Sequence, residues 1–566
     1  MKRKVILFAI FLLTFQFFVQ FYLARTDSQT TDEAIHLSAG YTYLAKKDFR
    51  FNPEHPPLVK LLAATPLLFV NPLLPKDNYL WDRGSNFFYD TWREAASFGE
   101  FFLYKENNAD QILFLGRLPM IFLTLILGVS IFIIANRIWG PYAGIISLIF
   151  YVFDPNITAH GHLITTDIAI SLGYLWSIYL FWQYLNKQTW RNLILFALAF
   201  SFSQLVKFTA VILVPVLLIL LAIFAYQNKW QVKKTLRMFP YLIIVLIINW
   251  LIIWGCFGFK TTLAPKTDSI LAEIKTSNLE SQTTFSDEIN KSESESTSQV
   301  SPDTAADKFY SKARYFLIPR DYFKGLVMLL THVGGGHNSF FLGMSSNKGW
   351  WYYFPVLFIL KTPIPTLIAA ALSIYFFVFS KKRKKDISFM ALAALLFLIF
   401  SMLSRANLGI RHIFPVYPLI FIMIGGLATL KWNKKILIIL ASWLFIEFLV
   451  VSPFFLSYYN EFAGGTKNGY KIATDSNLDW GQDLKRIKKY LDNKKLSDVY
   501  VEYLWGGKSS LDFYGIKTLP LEILNPDSNG YLIIGSSALN STKYEWLKNQ
   551  KVYDRITPSV FVYKLN

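Results

Sequence analysis

Long unbroken apolar runs, and not a two-residue alternation, dominate this chain. They fall at 5–24, 112–134, 141–153, 163–183, 192–206, 208–227, 239–258, 352–380, 387–404, 413–430 and 436–457. Runs near the ~20 residues that carry a helix across a bilayer predict membrane spans. The expected fold is therefore mainly α and polytopic, with about 11 transmembrane helices. The 141–153 and 192–206 runs are short for that purpose. The first run follows Met1-Lys2-Arg3-Lys4 like a signal peptide. It has no small-residue cleavage site and is long enough to span, so it is read as a retained anchor.

Basic residues orient the runs, because Lys and Arg concentrate in cytoplasmic loops. An N-terminus inside puts Lys2 to Lys4, Arg137, Lys187, Arg191, Lys229, Lys233, Lys234 and Arg237 in the cytoplasm. Lys381 to Lys385, Lys431, Lys434 and Lys435 follow them there, with Asp386 as the only acid among these short loops. Three larger pieces then lie outside: 25–111, 259–351 and the tail, 458–566. The organisation expected is a membrane domain over 1–457 and an extracytoplasmic C-terminal domain over 458–566. Within 259–351, the stretch 276–304 is rich in Ser, Thr, Glu and Gln with almost no apolar residue, and reads as a low-complexity insert. In the tail, Val499–Leu504, Tyr531–Ile534 and Val560–Tyr563 read as strands, and Leu484–Leu491 and Tyr544–Leu547 as helices, giving a small α/β domain.

Composition adds little that the pattern does not. Only 17% of residues are charged, against about 25% in soluble domains. The net charge of +19 is mostly topology and attraction to anionic headgroups, and nothing suggests a nucleic-acid partner. The single cysteine, Cys256, excludes a disulfide framework and a CxxC metal site.

The polar residues that hydropathy would forbid gather on the outer side. Asp32 and Glu33 follow the first run, and Glu54 and His55 stand in Asn52-Pro53-Glu54-His55-Pro56-Pro57-Leu58. His160, His162 and Asp167 lie between the third and fourth runs. His332 and His337 flank Gly334-Gly335-Gly336, and Arg405, Arg411 and His412 precede the tenth run. All 7 histidines are on this side. Bland readings stand beside the functional ones. Asp32-Glu33 suits a helix N-terminus, His-Pro-Pro suits a break between segments, and Lys361 suits a snorkelling side chain. Asp167 and Arg117, set in apolar runs, are costly unless partnered. Glu447 has no partner nameable from sequence. A carboxylate that accepts a hydroxyl proton, beside cations that hold a departing phosphate, suits transfer of a sugar from a lipid phosphate.

The string Thr31-Asp32-Glu33-Ala34-Ile35-His36, then Tyr43-Leu44, Asp48-Phe49 and His55-Pro56-Pro57-Leu58-Val59-Lys60, resembles the protein O-mannosyltransferase family. Thr166-Asp167 and Arg411-His412-Ile413-Phe414-Pro415 resemble later elements of that family. The wider group is the GT-C glycosyltransferases, which use polyprenyl-phosphate sugars and include the lipid A aminoarabinose transferase type, with Glu-Lys-Pro-Pro-Leu where this chain has Glu54-His55-Pro56-Pro57-Leu58. The resemblance implies a GT-C fold and an inverting single displacement. Asp32 would be the base and Glu33 would orient it or the acceptor. Arg117, His55, Arg411, His412 and Lys361 would bind the donor phosphate. Glu54, Asp167, His162 and His337 would be acceptor or metal candidates, with a divalent metal (Mg, Mn or Zn) as candidate cofactor.

The partners implied are a polyprenyl-phosphate sugar (mannose-like), an acceptor that is a protein Ser/Thr hydroxyl or else a lipid or envelope glycan, and membrane lipid. The location implied is a bacterial-type inner membrane, with the N-terminus cytoplasmic and the C-terminus outside. The tail segment Asp475-Ser476-Asn477-Leu478-Asp479-Trp480-Gly481-Gln482-Asp483 departs from the eukaryotic enzymes and resembles bacterial phospholipid-carrier-dependent members. A lipid-linked sugar transporter is the rival class, but the paired inverted halves expected of one are not found. In a Cys256→Ser background, an impermeant thiol reagent applied to intact spheroplasts should label a cysteine at 510 and spare one at 383. The reverse pattern would place every candidate residue in the cytoplasm.

Overall fold

The computed structural model describes residues 3–75, 81, 91–230, 238–259, 319–379, 384–430, 434–503 and 507–565. The insert at 276–304 lies outside them. Each apolar run carries a helix: α1 (Arg3–Thr26) comes first, and α2 (Thr31–Lys46) and α3 (Leu58–Ala64) lie in the loop that follows it. Next come α4 (Ala109–Trp139), α5 (Pro141–Val152), α6 (Asp167–Asn186), α7 (Trp190–Val206), α8 (Leu213–Gln227) and α9 (Phe239–Cys256). After α10 (Arg320–Gly335) follow α11 (Tyr353–Lys361), α12 (Ile364–Phe379), α13 (Lys384–Ser401), α14 (Val416–Gly426) and α15 (Lys434–Val451).

Among the described residues, four helices are long and apolar enough to cross a membrane: Arg3–Thr26, Ala109–Trp139, Asp167–Asn186 and Phe208–Gln227. The protein is thus multi-pass, while α5, α7, α9 and α14 are apolar but shorter. The run at 352–380 is not one straight span. It breaks between α11 and α12 with a bend of 113°, because Pro363 drives Thr362 out of helical geometry (ψ 134°). Small residues bring neighbouring helices together. A Cβ on Gly173 of α6 would fall 2.5 Å from Ser203 Oγ of α7, and one on Gly425 of α14 would fall 2.1 Å from Ser147 Oγ of α5.

The tail has the three strands and the helix at Leu484–Leu491 that its pattern predicts, and adds a strand at Asp554–Thr557. It has a kinked 3-10 segment, Thr542–Asn549, where the pattern predicts a helix at Tyr544–Leu547. Its four-stranded sheet has the order β1-β2-β4-β3, from β1 (Val499–Glu502), β2 (Tyr531–Gly535), β3 (Asp554–Thr557) and β4 (Val560–Lys564). The first pair is parallel and the others antiparallel. Alternate side chains leave opposite faces: Val499, Val501, Ile533 and Val562 meet Leu484, Ile487 and Leu491 of α16 (Leu484–Lys494). Tyr500, Leu532, Ile534 and Phe561 meet Leu539, Tyr544 and Leu547. Ser510 is buried, so the exposed Asp527 is the better reporter of the tail's side.

One buried ion pair ties the C-terminal end of α1 to the N-terminal turns of α2 and α4. Arg117 of α4 donates through Nε to Glu33 Oε1 (2.8 Å) and through Nη2 to Glu33 Oε2 (2.6 Å). Its remaining donors reach the carbonyls of Ala24 (2.9 Å), Asp27 (2.8 Å) and Ser28 (2.8 Å), at the end of α1 and in the turn after it. The planar fork of guanidinium suits a carboxylate and a ring of carbonyls together, where a lysine ammonium would not. Both residues are about fully buried, at 1% and 0% side-chain exposure. Removing one partner of such a pair typically costs about 3–5 kcal/mol. Arg117→Leu and Glu33→Leu should each lower the melting temperature of the detergent-solubilised protein, and the double variant should lose clearly less than the sum of the two. Strict additivity would show that the pair is not the clamp described.

Candidate functional site

The first turn of α2 separates two neighbouring acids by direction. Glu33 points inward, to Arg117, to the backbone N–H of Thr30 (2.9 Å) and to that of Ile164 (3.2 Å). Asp32 points the other way, into a cleft of about 300 Å³. The helix-terminus reading of this pair therefore holds for Glu33, which closes one half of a capping box, while Asp32 faces the cleft. The Arg117 clamp is what fixes that division.

The cleft collects residues from remote parts of the chain: Asp32 and His36 of α2, Glu54 and His55 of the first loop, Lys207, His337, Arg411, His412, Asp475 and Trp480. Arg411 is its central cation. Its Nη1 donates to Asp32 Oδ2 (2.8 Å) and lies 3.5 Å from Asp167 Oδ2, and its guanidinium stacks on Trp480 at 4.2 Å. Lys207 stands where α7 ends, 2.6 Å from Asp167 Oδ1. Asp167 itself is buried behind the wall and holds both cations in place.

The first loop adds groups whose ionisation is shifted. Burial, reinforced by the Asp32 carboxylate, pushes the Glu54 carboxyl up to about 7. Burial, with the Lys207 charge beside it, holds the His55 imidazole well below its usual range. His55 is thus a neutral ring near pH 7, packed 5.5 Å from the His36 ring, with Nδ1 lacking a partner. His36 Nδ1 is 2.8 Å from the Ile164 carbonyl. Lys60 braces the loop from below, donating to Asn52 Oδ1 (3.1 Å) and Tyr43 Oη (3.1 Å) and to the Asn52 carbonyl.

The tail closes the cleft. The N–H groups of Ser28 and Thr31 donate to the carbonyls of Gln482 (3.0 Å) and Trp480 (3.1 Å). Ser28 Oγ donates to the Gly481 carbonyl (2.7 Å) and accepts from the Leu484 N–H (2.8 Å). Arg411 Nε donates to Ser476 Oγ (3.1 Å). Asp475 takes φ +60° at the cleft edge, and burial raises its carboxyl against the pull of Arg411. The segment 475–483 is therefore a wall of the site.

Several expected site residues lie elsewhere. Arg117 is engaged wholly by protein groups and does not line the cleft, so it offers no donor to a phosphate there. Lys361 neither snorkels nor reaches the cleft; its ammonium is buried against the carbonyls of Leu456 (3.0 Å) and Asn477, over the Tyr459 ring at 4.7 Å. His162 faces away, 3.2 Å from Asp27 Oδ2, in a group with Arg486 (2.7 Å from Asp27 Oδ1). Of the metal candidates, Glu54 and His337 line the cleft while Asp167 and His162 are tied up as described. Among the described residues no three His, Cys, Asp or Glu side chains converge as a metal site.

Lys207, Asp475 and Trp480 were not anticipated as site residues. Lys207 carried a signal: a lone basic residue between two apolar runs, on the side that the charge rule leaves poor in cations. Asp475 and Trp480 carried none beyond an unusual string.

Two crystal structures of ArnT from Cupriavidus metallidurans are similar to the chain over 98% of its length and 97% of theirs. One is bound to undecaprenyl phosphate (11% identity, TM-score 0.47) and the other is in the apo state (12%, 0.49). The oligosaccharyltransferase AglB from Archaeoglobus fulgidus, in complex with an inhibitory peptide and a dolichol-phosphate, is similar over 95% of this chain and 70% of that one (10%, 0.43). No curated protein sequence matches the chain. Residues 110–254 match the model of the dolichyl-phosphate-mannose-protein mannosyltransferase family. That match covers the segment from α4 to α9, and the likeness to this family is carried by that segment.

Proposed function

We propose that this protein transfers one sugar from a polyprenyl phosphate to an acceptor hydroxyl on the extracytoplasmic face of the membrane. The observation that carries the reading is the pairing in the cleft: a carboxylate, Asp32, 2.8 Å from the Arg411 guanidinium, with the Lys207 ammonium on the same wall. Asp32 takes the acceptor proton. The acceptor oxygen attacks the anomeric carbon while the bond from that carbon to the phosphate oxygen breaks. The lipid phosphate departs with the electron pair onto Arg411 and Lys207, where cations stabilise the growing charge. His55, as a neutral ring, contributes a hydrogen bond and not a charge. Glu33 and Arg117 position Asp32 from behind. Protein Ser/Thr is the favoured acceptor and a mannose-like sugar the favoured donor group, from the first-loop resemblance and the family matched at 110–254. Mass spectrometry of envelope proteins and glycolipids, with and without the gene, identifies both. Modified glycolipid with unmodified protein would overturn the protein acceptor.

Asp32→Asn keeps the shape of the side chain but accepts no proton. It should insert normally and lose roughly 10²-fold or more in transfer rate, the usual worth of a positioned base. Near wild-type transfer by this variant would remove Asp32 from the chemistry. A second expectation concerns pH. Glu54 is neutral below about 7 and anionic above it, and its ionisation places a negative charge in the cleft that must take the donor phosphate. The KM for donor should therefore rise as pH passes about 7, and Glu54→Gln should flatten that rise. A rise that persists in Glu54→Gln would assign the titration to another group.

A further inference from the structure

Away from the cleft, and sharing no lining residue with it, a groove of about 690 Å³ runs between the outer turns of α15 and the tail domain. Its lower wall is apolar, with Trp443, Ile446 and Val450 of α15. That helix turns a stripe outward: Ile439 is 64%, Ile446 57% and Val450 80% exposed. In a multi-pass protein such a stripe meets acyl chains and not water. The upper wall belongs to the tail and carries two cations, Lys467 and Arg555, and one acid, Glu461. Arg555 is steadied by stacking on Phe561 at 4.2 Å and by donating to the Lys467 carbonyl at 2.9 Å.

The groove also holds a polar group that the protein leaves incomplete. Glu447, only 8% exposed, lines it. Tyr458 Oη donates to its Oε2 (2.7 Å), while Oε1, with the Trp443 indole nearby, makes no hydrogen bond. A dry acceptor on an apolar helix is costly unless something donates to it. Glu447 lies four residues, ~6 Å, below the end of α15, so the missing donor sits deeper than the two cations of the tail. We propose that this groove binds an anionic amphiphile. Its acyl chain lies along α15, its phosphate meets Lys467 and Arg555, and a hydroxyl or amide N–H in its linkage region donates to Glu447 Oε1.

The test uses the purified full-length protein in detergent, with bound lipid counted by native mass spectrometry. The probes are 1-acyl-lysophosphatidic acid, which has a phosphate above a free hydroxyl, and its 2-O-methyl ether, which lacks only that donor. Wild type should retain the first about tenfold better, the worth of one hydrogen bond to a buried acceptor. Glu447→Leu should abolish the preference, and Lys467→Glu, at an exposed position, should weaken both probes. Equal retention of the two probes by wild type would overturn the proposal, as would undiminished binding by Lys467→Glu. Displacement of either probe by millimolar inorganic phosphate alone would do the same, since it would mark a free-phosphate site. If Glu447→Leu is not recovered folded, the wild-type comparison of hydroxyl and ether decides.

Discussion

The Arg117–Glu33 ion pair is the constraint on which the outer face depends. A guanidinium that satisfies a carboxylate and three carbonyls at once fixes where α1 stops and the angle at which α2 leaves it. Such a pair returns little net stability after its desolvation; its worth here is geometric. Because Glu33 is drawn inward, the residue before it on the same helical turn must face outward. The direction of Asp32 thus follows from a bond that Asp32 does not make.

The tail contributes to the same end by a different route. Its sheet could fold against its own helices without touching the membrane part. The chain between them, however, lends its backbone to residues 28–31 and its Trp480 ring to Arg411. Asp483 anchors that segment. It accepts from Thr557 (2.9 Å) and Ser559 (2.8 Å) of the sheet and from Arg486 (2.7 Å), which also holds Asp27.

Hydrophobic runs made the helices legible, and alternation made the tail strands legible, because both are local consequences of burial. Arg411 and His412 were also legible, since polar residues at the end of an apolar run need a reason to be there, and Asp32 and Glu54 were legible through the first-loop motif. The partners of Arg117 and Lys361 were not. Each satisfies backbone carbonyls of segments remote in sequence, and a carbonyl carries no signature in the residue that owns it. The break at Thr362-Pro363 was visible as a proline, yet apolar residues on both sides masked it as one run. Lys207 was masked by the opposite effect, a single charge lost between two strong runs.

A last consequence concerns the order of events in the cleft. Arg411 is shared between Asp32 and Asp167, and Lys207 is given to Asp167. The cations proposed for the phosphate are thus already held by carboxylates, which spares the protein two unpaired charges at the edge of an apolar bundle. A phosphate entering between them competes for the same donors. Asp167, fully buried and paired with both, has no room to yield. Asp32, at 16% side-chain exposure, is the partner that can give way. On the proposed function, a phosphate drawing on Arg411 loosens the Asp32 carboxylate where an acceptor hydroxyl needs a base. On the proposed reading, the asymmetry between a buried and a partly exposed carboxylate on one arginine is what ties proton removal to the presence of the sugar donor.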